Sequence, residues 1–181
     1  MDRGPAGTGI EATYLAREVP LNCKRAQGIR IEDVYFPDTP SVPATLRARQ
    51  LGNRYELTKD LGATISAVSL TKAEYDCLRV ASQRRLIRDR YRHTVTKELP
   101  AGKPKYPADV DVFRGALEGL VWITVGFGTT GQRDRFTPPD YCGQKVAGEA
   151  FLAEHALAAT SYKDIARQLG RMGYLRLGQD T

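Results

Sequence analysis

Two short stretches each place arginines two residues apart: Arg47 and Arg49 in "ATLRARQ", and Arg88 and Arg90 in "RRLIRDRYRH". Side chains of an extended chain alternate between faces. Thr45, Arg47 and Arg49 would therefore share one face, as would Arg84, Leu86, Arg88, Arg90 and Arg92. A guanidinium is planar, permanently charged and able to grip phosphate through paired N–H donors. Arginines on neighbouring strands repel one another unless an anion lies between them. Two readings follow: a solvated basic face, or a site for a polyphosphate or phosphodiester.

The elements that would carry these arginines are short strands. Alternation suggests strands from Ile10 to Ala16 and over "IRIEDVYF", and "LGATISAVSL" is another extended run. "ATLRARQLGNRYELTKD" reads as a hairpin turning at Gly52-Asn53. Thr71 with Glu74 three residues later forms a capping-box pattern, so a helix is predicted over "TKAEYDCLRVASQ". The basic strand follows, then a proline-rich loop, then "VDVFRGALEGLVWITVGF", two strands around a turn. In "ITVGF", Ile123, Val125 and Phe127 share one face and the near-blank Thr124 and Gly126 share the other. Residues 146 to 173 read as helix broken near Thr160-Ser161. Strand signals recurring about every ten residues, with helix gathered late, predict a mainly β, α+β fold built on an antiparallel sheet or barrel.

The chain has 181 residues, 41% hydrophobic and 27% charged, enough for one domain with a real core. A single domain over 1–181 is expected, with 1–8 flexible and 160–181 a C-terminal helix. No apolar run approaches the roughly 20 residues of a spanning helix, and the N-terminus lacks a secretion-signal pattern. Cys23, Cys77 and Cys142 are widely spaced and suit idle thiols in a reducing, cytoplasmic setting. Net charge is +6, compatible with an anionic partner. His93 and His155 have no second ligand at metal spacing, and Trp122 reads as core. "GFGTTG" lacks the Lys-Ser or Lys-Thr of a phosphate-cradling loop. Lys163 and Arg167 read as a solvated helix face.

Taken in order, these segments resemble the CYTH family, the triphosphate tunnel metalloenzymes. "GIEATYLARE" looks like the family's E-x-E-x-K strand, "IEDVYFP" like its second strand, and "ATLRARQLGNRYELTKD" like its R-x-R hairpin and L-T-x-K. "LIRDRY" resembles the K-x-R-Y strand, "DVDVFRGALEGLVWITVGF" the D-x-F and A-E-V-E-F strands, and "PPDYCGQKV" the P-x-W-x-G-x-E-V segment. The resemblance covers roughly residues 9 to 158. It implies a closed or nearly closed eight-stranded antiparallel barrel with flanking and C-terminal helices. Inside such a tunnel, acids hold divalent metal while Arg and Lys hold triphosphate.

Residue by residue, the resemblance keeps the bases and loses the acids. Glu11 matches the second opening Glu, whereas Gly9 replaces the first and Thr13 replaces the Lys. Arg47, Arg49, Arg88 and Arg90 fall on the basic pairs, and Asp111 on the acid of D-x-F. Asp60 falls on the Lys of L-T-x-K, with Lys59 one residue early. Thr124 and Gly126 stand where two glutamates belong, and Lys145 replaces another. The implied site is therefore Arg47, Arg49, Arg88 and Arg90 for ligand phosphates. Glu11, Thr13, Lys59, Asp111, Thr124 and Lys145 are further possible contacts. Glu11 and Asp111 are weak metal candidates, too few for a working centre.

The expected function is non-catalytic binding of a phosphorylated ligand, preferably a nucleotide or nucleotide second messenger such as a cyclic dinucleotide. Tyr14, Tyr55 and Tyr91 are available for stacking on bases. A receptor of this kind would need no cofactor and would signal through a downstream protein partner, away from membranes and nucleic acid. The alternative is an active Mg²⁺-dependent triphosphatase or adenylate cyclase of the same family, with Glu11, Asp111 and Asp60 holding the metal.

Overall fold

The computed structural model describes residues 9–39, 41–62, 64–96 and 104–178. Expectations for residues 1–8 and for the tip of the proline-rich loop lie outside them. Among the described residues there are nine strands: β1 (Glu11–Ala16), β2 (Ile29–Phe36), β3 (Leu46–Leu51), β4 (Arg54–Asp60), β5 (Ile65–Leu70), β6 (Arg85–Thr96), β7 (Lys105–Phe113), β8 (Val121–Gly126) and β9 (Cys142–Lys145). They form one antiparallel sheet in the order β5-β4-β3-β2-β6-β7-β8-β1-β9. β5 and β9 are its two edges and do not pair with each other. The sheet is thus nine-stranded and open, where eight strands and closure, or near closure, were expected. It curls nonetheless. β3 and β1 stand five places apart, about 24 Å in a flat sheet, yet both line a single cavity.

Local chemistry accounts for the best-formed elements. Gly52 has φ +57°, which turns the β3–β4 hairpin through a two-residue loop. Only a residue without Cβ adopts that conformation cheaply, and it matches the strand twist. The first regular helices are α1 (Leu21–Lys24) and α2 (Lys72–Val80). At the start of α2 the capping box closes: Glu74 N–H donates to Thr71 Oγ1 and Thr71 N–H donates to Glu74 Oε2. Tyr75 of α2 then packs on Val34 and Ala48, covering the outer face of β2 and β3.

A second outer cluster holds Ala12, Tyr14, Val110, Ile123, Val125 and Phe127. Ile123, Val125 and Phe127 thus take the apolar side of their strand, as alternation requires. It is joined by Phe136, just beyond α3 (Thr130–Arg135). "GFGTTG" leads into this short helix on the outer side, away from the cavity. The last two helices are α4 (Glu154–Leu157) and α5 (Tyr162–Arg171). The late helical region is therefore shorter and more broken than expected, and α5 ends well before residue 181.

The third cluster positions the site. Leu15, Tyr35, Leu86, Phe113 and Trp122 rise from the inner face of the sheet and meet Leu152, Leu157, Ile165, Leu169 and Tyr174 from the C-terminal region. This apolar plug fills one end of the curled sheet and leaves the polar middle open. Leu157 is fully buried in it. Leu157→Ala should lower unfolding free energy by about 2–5 kcal/mol, measured by urea denaturation.

Candidate functional site

The inner face of the sheet encloses a cavity of about 330 Å³ lined by Arg47, Arg49, Arg88 and Arg90. Glu11, Thr13, Asp109, Asp111, Trp122, Thr124 and Glu154 complete its wall. The alternation in β3 and β6 thus brings both arginine pairs to the same interior. Thr13 and Thr124 face each other across β1 and β8, with their hydroxyls 3.1 Å apart. Lys59 and Lys145 lie elsewhere. Both are exposed, and Lys59 donates to Thr45 Oγ1 at 2.7 Å. The reason is strand parity: Lys59 pairs with the outward Leu46 and Lys145 with the outward Tyr14. Arg84, on the arginine face of the sequence, is a structural staple. It donates to the carbonyls of Pro37, Thr39, Val42 and His155.

The arginines are opposed by carboxylates, contrary to the expectation of an unbalanced basic cluster. Asp33 is fully buried; Arg49 grips it from Nε to Oδ1 at 2.5 Å and from Nη2 to Oδ2 at 2.9 Å. Arg88 Nη2 lies 3.3 Å from the same carboxylate. Arg90 holds Asp111 through two 2.7 Å bonds, and its Nη1 lies 3.4 Å from Asp109. Glu154 reaches in from α4: its Oε1 is 2.8 Å from Arg88, and Oε2 accepts from Tyr35 and Arg47 at 3.2 and 3.5 Å. Burial alone would depress the pKa of Arg88 and Arg49. Neighbouring carboxylates, Glu154 and Asp111 for Arg88 and Asp33 for Arg49, more than reverse this.

Asp33, Asp109, Glu154 and the cavity face of Trp122 were not foreseen. Asp33 sits between Ile31 and Tyr35 on one face of β2, and Asp109 stands two residues before Asp111. Strand period could have found both. Glu154 carries no such signal, because it comes from a four-residue helix outside the sheet. Trp122 is core, as expected, stacking edge-on to Phe113 with centroids 4.9 Å apart, but it also faces the cavity. Tyr14, Tyr55 and Tyr91 are not among the lining residues. Tyr14 packs near Phe136, Tyr55 on Tyr75, and the Tyr91 ring lies against Gly28.

Asp33, Asp111 and Glu154 already accept from guanidinium groups, and a divalent cation needs several oxygens free of competing cations. Among the described residues no three His, Cys, Asp or Glu side chains converge as a metal site. His93 Nε2 instead pairs with Tyr141 Oη at 3.0 Å, a structural role. Asp60 bonds the Gly62 amide outside the cavity.

No family model and no curated protein matches the chain. Solved structures do. Two structures of the protein NE1496 each align with TM-score 0.64 and 25% identity. One, described as a hypothetical protein, covers 84% of this chain and 98% of its own. The other, described as the inorganic triphosphatase NE1496, covers 83% and 94%. These likenesses support a relation to the CYTH family. In this chain the aligned region is a mainly β sheet curled about a polar interior, without closure.

Two outcomes follow from the buried charges. Asp33→Ala would leave Arg49 and Arg88 buried without their shared carboxylate, a loss of about 3–5 kcal/mol of stability by chemical denaturation. Burial would raise the Glu154 pKa, but Arg88, Arg49 and Arg47 draw it down to about 2. Its unfolded value is about 4.3. Its contribution to stability is therefore present above about pH 4.3 and is lost as pH falls towards about 2. Glu154→Gln should flatten the decline in melting temperature across that window.

Proposed function

We propose that the cavity binds a phosphorylated ligand through its arginines and does not turn it over. The observation that carries this reading is Arg88. Its side chain is 1% exposed; its Nη1 has no hydrogen-bond acceptor among the described residues, and its Nε, 3.4 Å from Asp111 Oδ2, makes an ion pair without a well-aligned hydrogen bond. Arg47 Nε is in the same state. Buried donors of charged groups are costly to leave unsatisfied, and phosphate oxygens are the acceptors best matched to a guanidinium fork. Thr124 adds a hydroxyl where the resemblance places a carboxylate, which removes repulsion toward an anion, and Thr13 adds a second hydroxyl beside it.

The cavity's 330 Å³ is near the lower end of small-molecule sites, about 300–1,000 Å³. That favours a compact group such as a polyphosphate chain or the phosphates of a single nucleotide. A cyclic dinucleotide must house two bases as well, and the tyrosines that would stack on them lie outside the cavity. A receptor of this kind would pass its signal by binding another protein.

Hydrolysis is the second reading. It is favoured by the description of NE1496 as an inorganic triphosphatase and by the four carboxylates on the cavity wall. Calorimetry with inorganic tripolyphosphate and with ATP, in EDTA, should show binding; Arg47→Ala should weaken it roughly tenfold and Lys59→Ala should leave it unchanged. Phosphate release that requires Mg²⁺ or Mn²⁺ and disappears in Glu11→Ala would replace the receptor reading with the enzymatic one.

A further inference from the structure

The carboxylates that touch the arginines are not equivalent. Asp33, Asp109 and Asp111 project from strands, and their side chains are 0%, 1% and 4% exposed. They have no route out. Glu154 projects from α4 outside the sheet, and its side chain is 35% exposed. Its backbone is pinned: Leu152 and Leu157 sit in the apolar plug, and Arg84 Nη2 donates to the His155 carbonyl at 3.0 Å. The side chain alone can therefore leave, by changing rotamer into solvent.

Glu154 also divides space. With Arg47 and Tyr35 it belongs to the wall of a second cavity of about 190 Å³, lined further by Ala44, Thr45, Thr58, Asp60, Ile65 and His155. Arg47 and Glu154 line both cavities. The Thr58 hydroxyl in the second cavity is buried without a hydrogen-bond partner among the described residues. Where Glu154 sits, two oxygens meet Arg88, Arg47 and Tyr35, the arrangement a phosphoryl group would take.

We infer that Glu154 is an internal competitor that holds the place of one ligand phosphoryl group, and that the ligand displaces it and joins the two cavities. This rests on the phosphate-binding reading above and adds its regulation. The ligand exchanges one anion for another on Arg88, so the network is never left without a counter-charge. Affinity is set by the difference between phosphate and carboxylate, not by the full attraction of the arginines. The joined space favours an extended phosphate chain over orthophosphate.

The test is calorimetry of the full chain with inorganic tripolyphosphate in EDTA. Glu154→Gln should bind about tenfold tighter than the unaltered protein. Glu154→Ala, which removes the competing side chain altogether, should also bind tighter than the unaltered protein. Asp134→Asn, an equal charge change on exposed α3, should change affinity less than about twofold. Binding by the unaltered protein with no gain in Glu154→Gln and Glu154→Ala would overturn the inference and leave the phosphate site standing. An equal gain in Asp134→Asn would also overturn it, since the effect would then be net charge alone. Absence of binding by all four proteins would instead remove the phosphate reading on which it rests.

Discussion

The carboxylate of Asp33 is the constraint around which the interior is arranged. It lies on β2, between β3 and β6 in the sheet, directly opposite Arg49. From there it reaches guanidinium groups on both flanks, Arg49 and Arg88. Taking three charges out of water costs several kcal/mol per ion before pairing, so this cluster is a poor source of net stability. Its value lies in register. A slip of one residue in β3 would turn Arg47 and Arg49 toward α2 and drive Ala48 inward, which the buried Asp33 penalises at once.

The two ends of the interior are built on opposite chemistry. Leu15, Tyr35, Leu86, Phe113 and Trp122 meet residues of the C-terminal region in an apolar plug, while the adjoining segment of the same strands carries arginines and acids. Each strand thus changes character along its length without changing face. The plug fixes the backbone of α4, and that backbone presents Glu154. Core packing and anion chemistry are coupled here through a few residues of chain, with Arg84 as the polar clamp between them.

Much of this was legible in the sequence, and the limits have physical causes. Strand period put Arg47 with Arg49 and Arg88 with Arg90 on shared faces, and the family resemblance turned those faces inward together with Thr13, Thr124, Glu11 and Asp111. The Gly52 turn and the Thr71–Glu74 box were readable because each depends on neighbours in the chain. Closure was misjudged, because whether β5 meets β9 depends on accumulated curvature that no local pattern records. Lys145 was assigned by motif position, which gave way to parity, whereas Lys59, one residue off the motif, already had the outward parity in the sequence. Glu154 was invisible for the reason that makes it interesting: its place is set by tertiary packing of a short helix. The charge balance was misjudged with it, since the opposing acids Asp33 and Asp109 had been passed over within readable strands.

The chain contains a single tryptophan, and Trp122 lies on the wall of the arginine cavity with its indole N–H buried and unbonded among the described residues. An indole's emission colour and yield respond to nearby charge and water. The molecule therefore has a built-in optical gauge, free of background from other indoles, at the spot where an incoming anion would rearrange the local field.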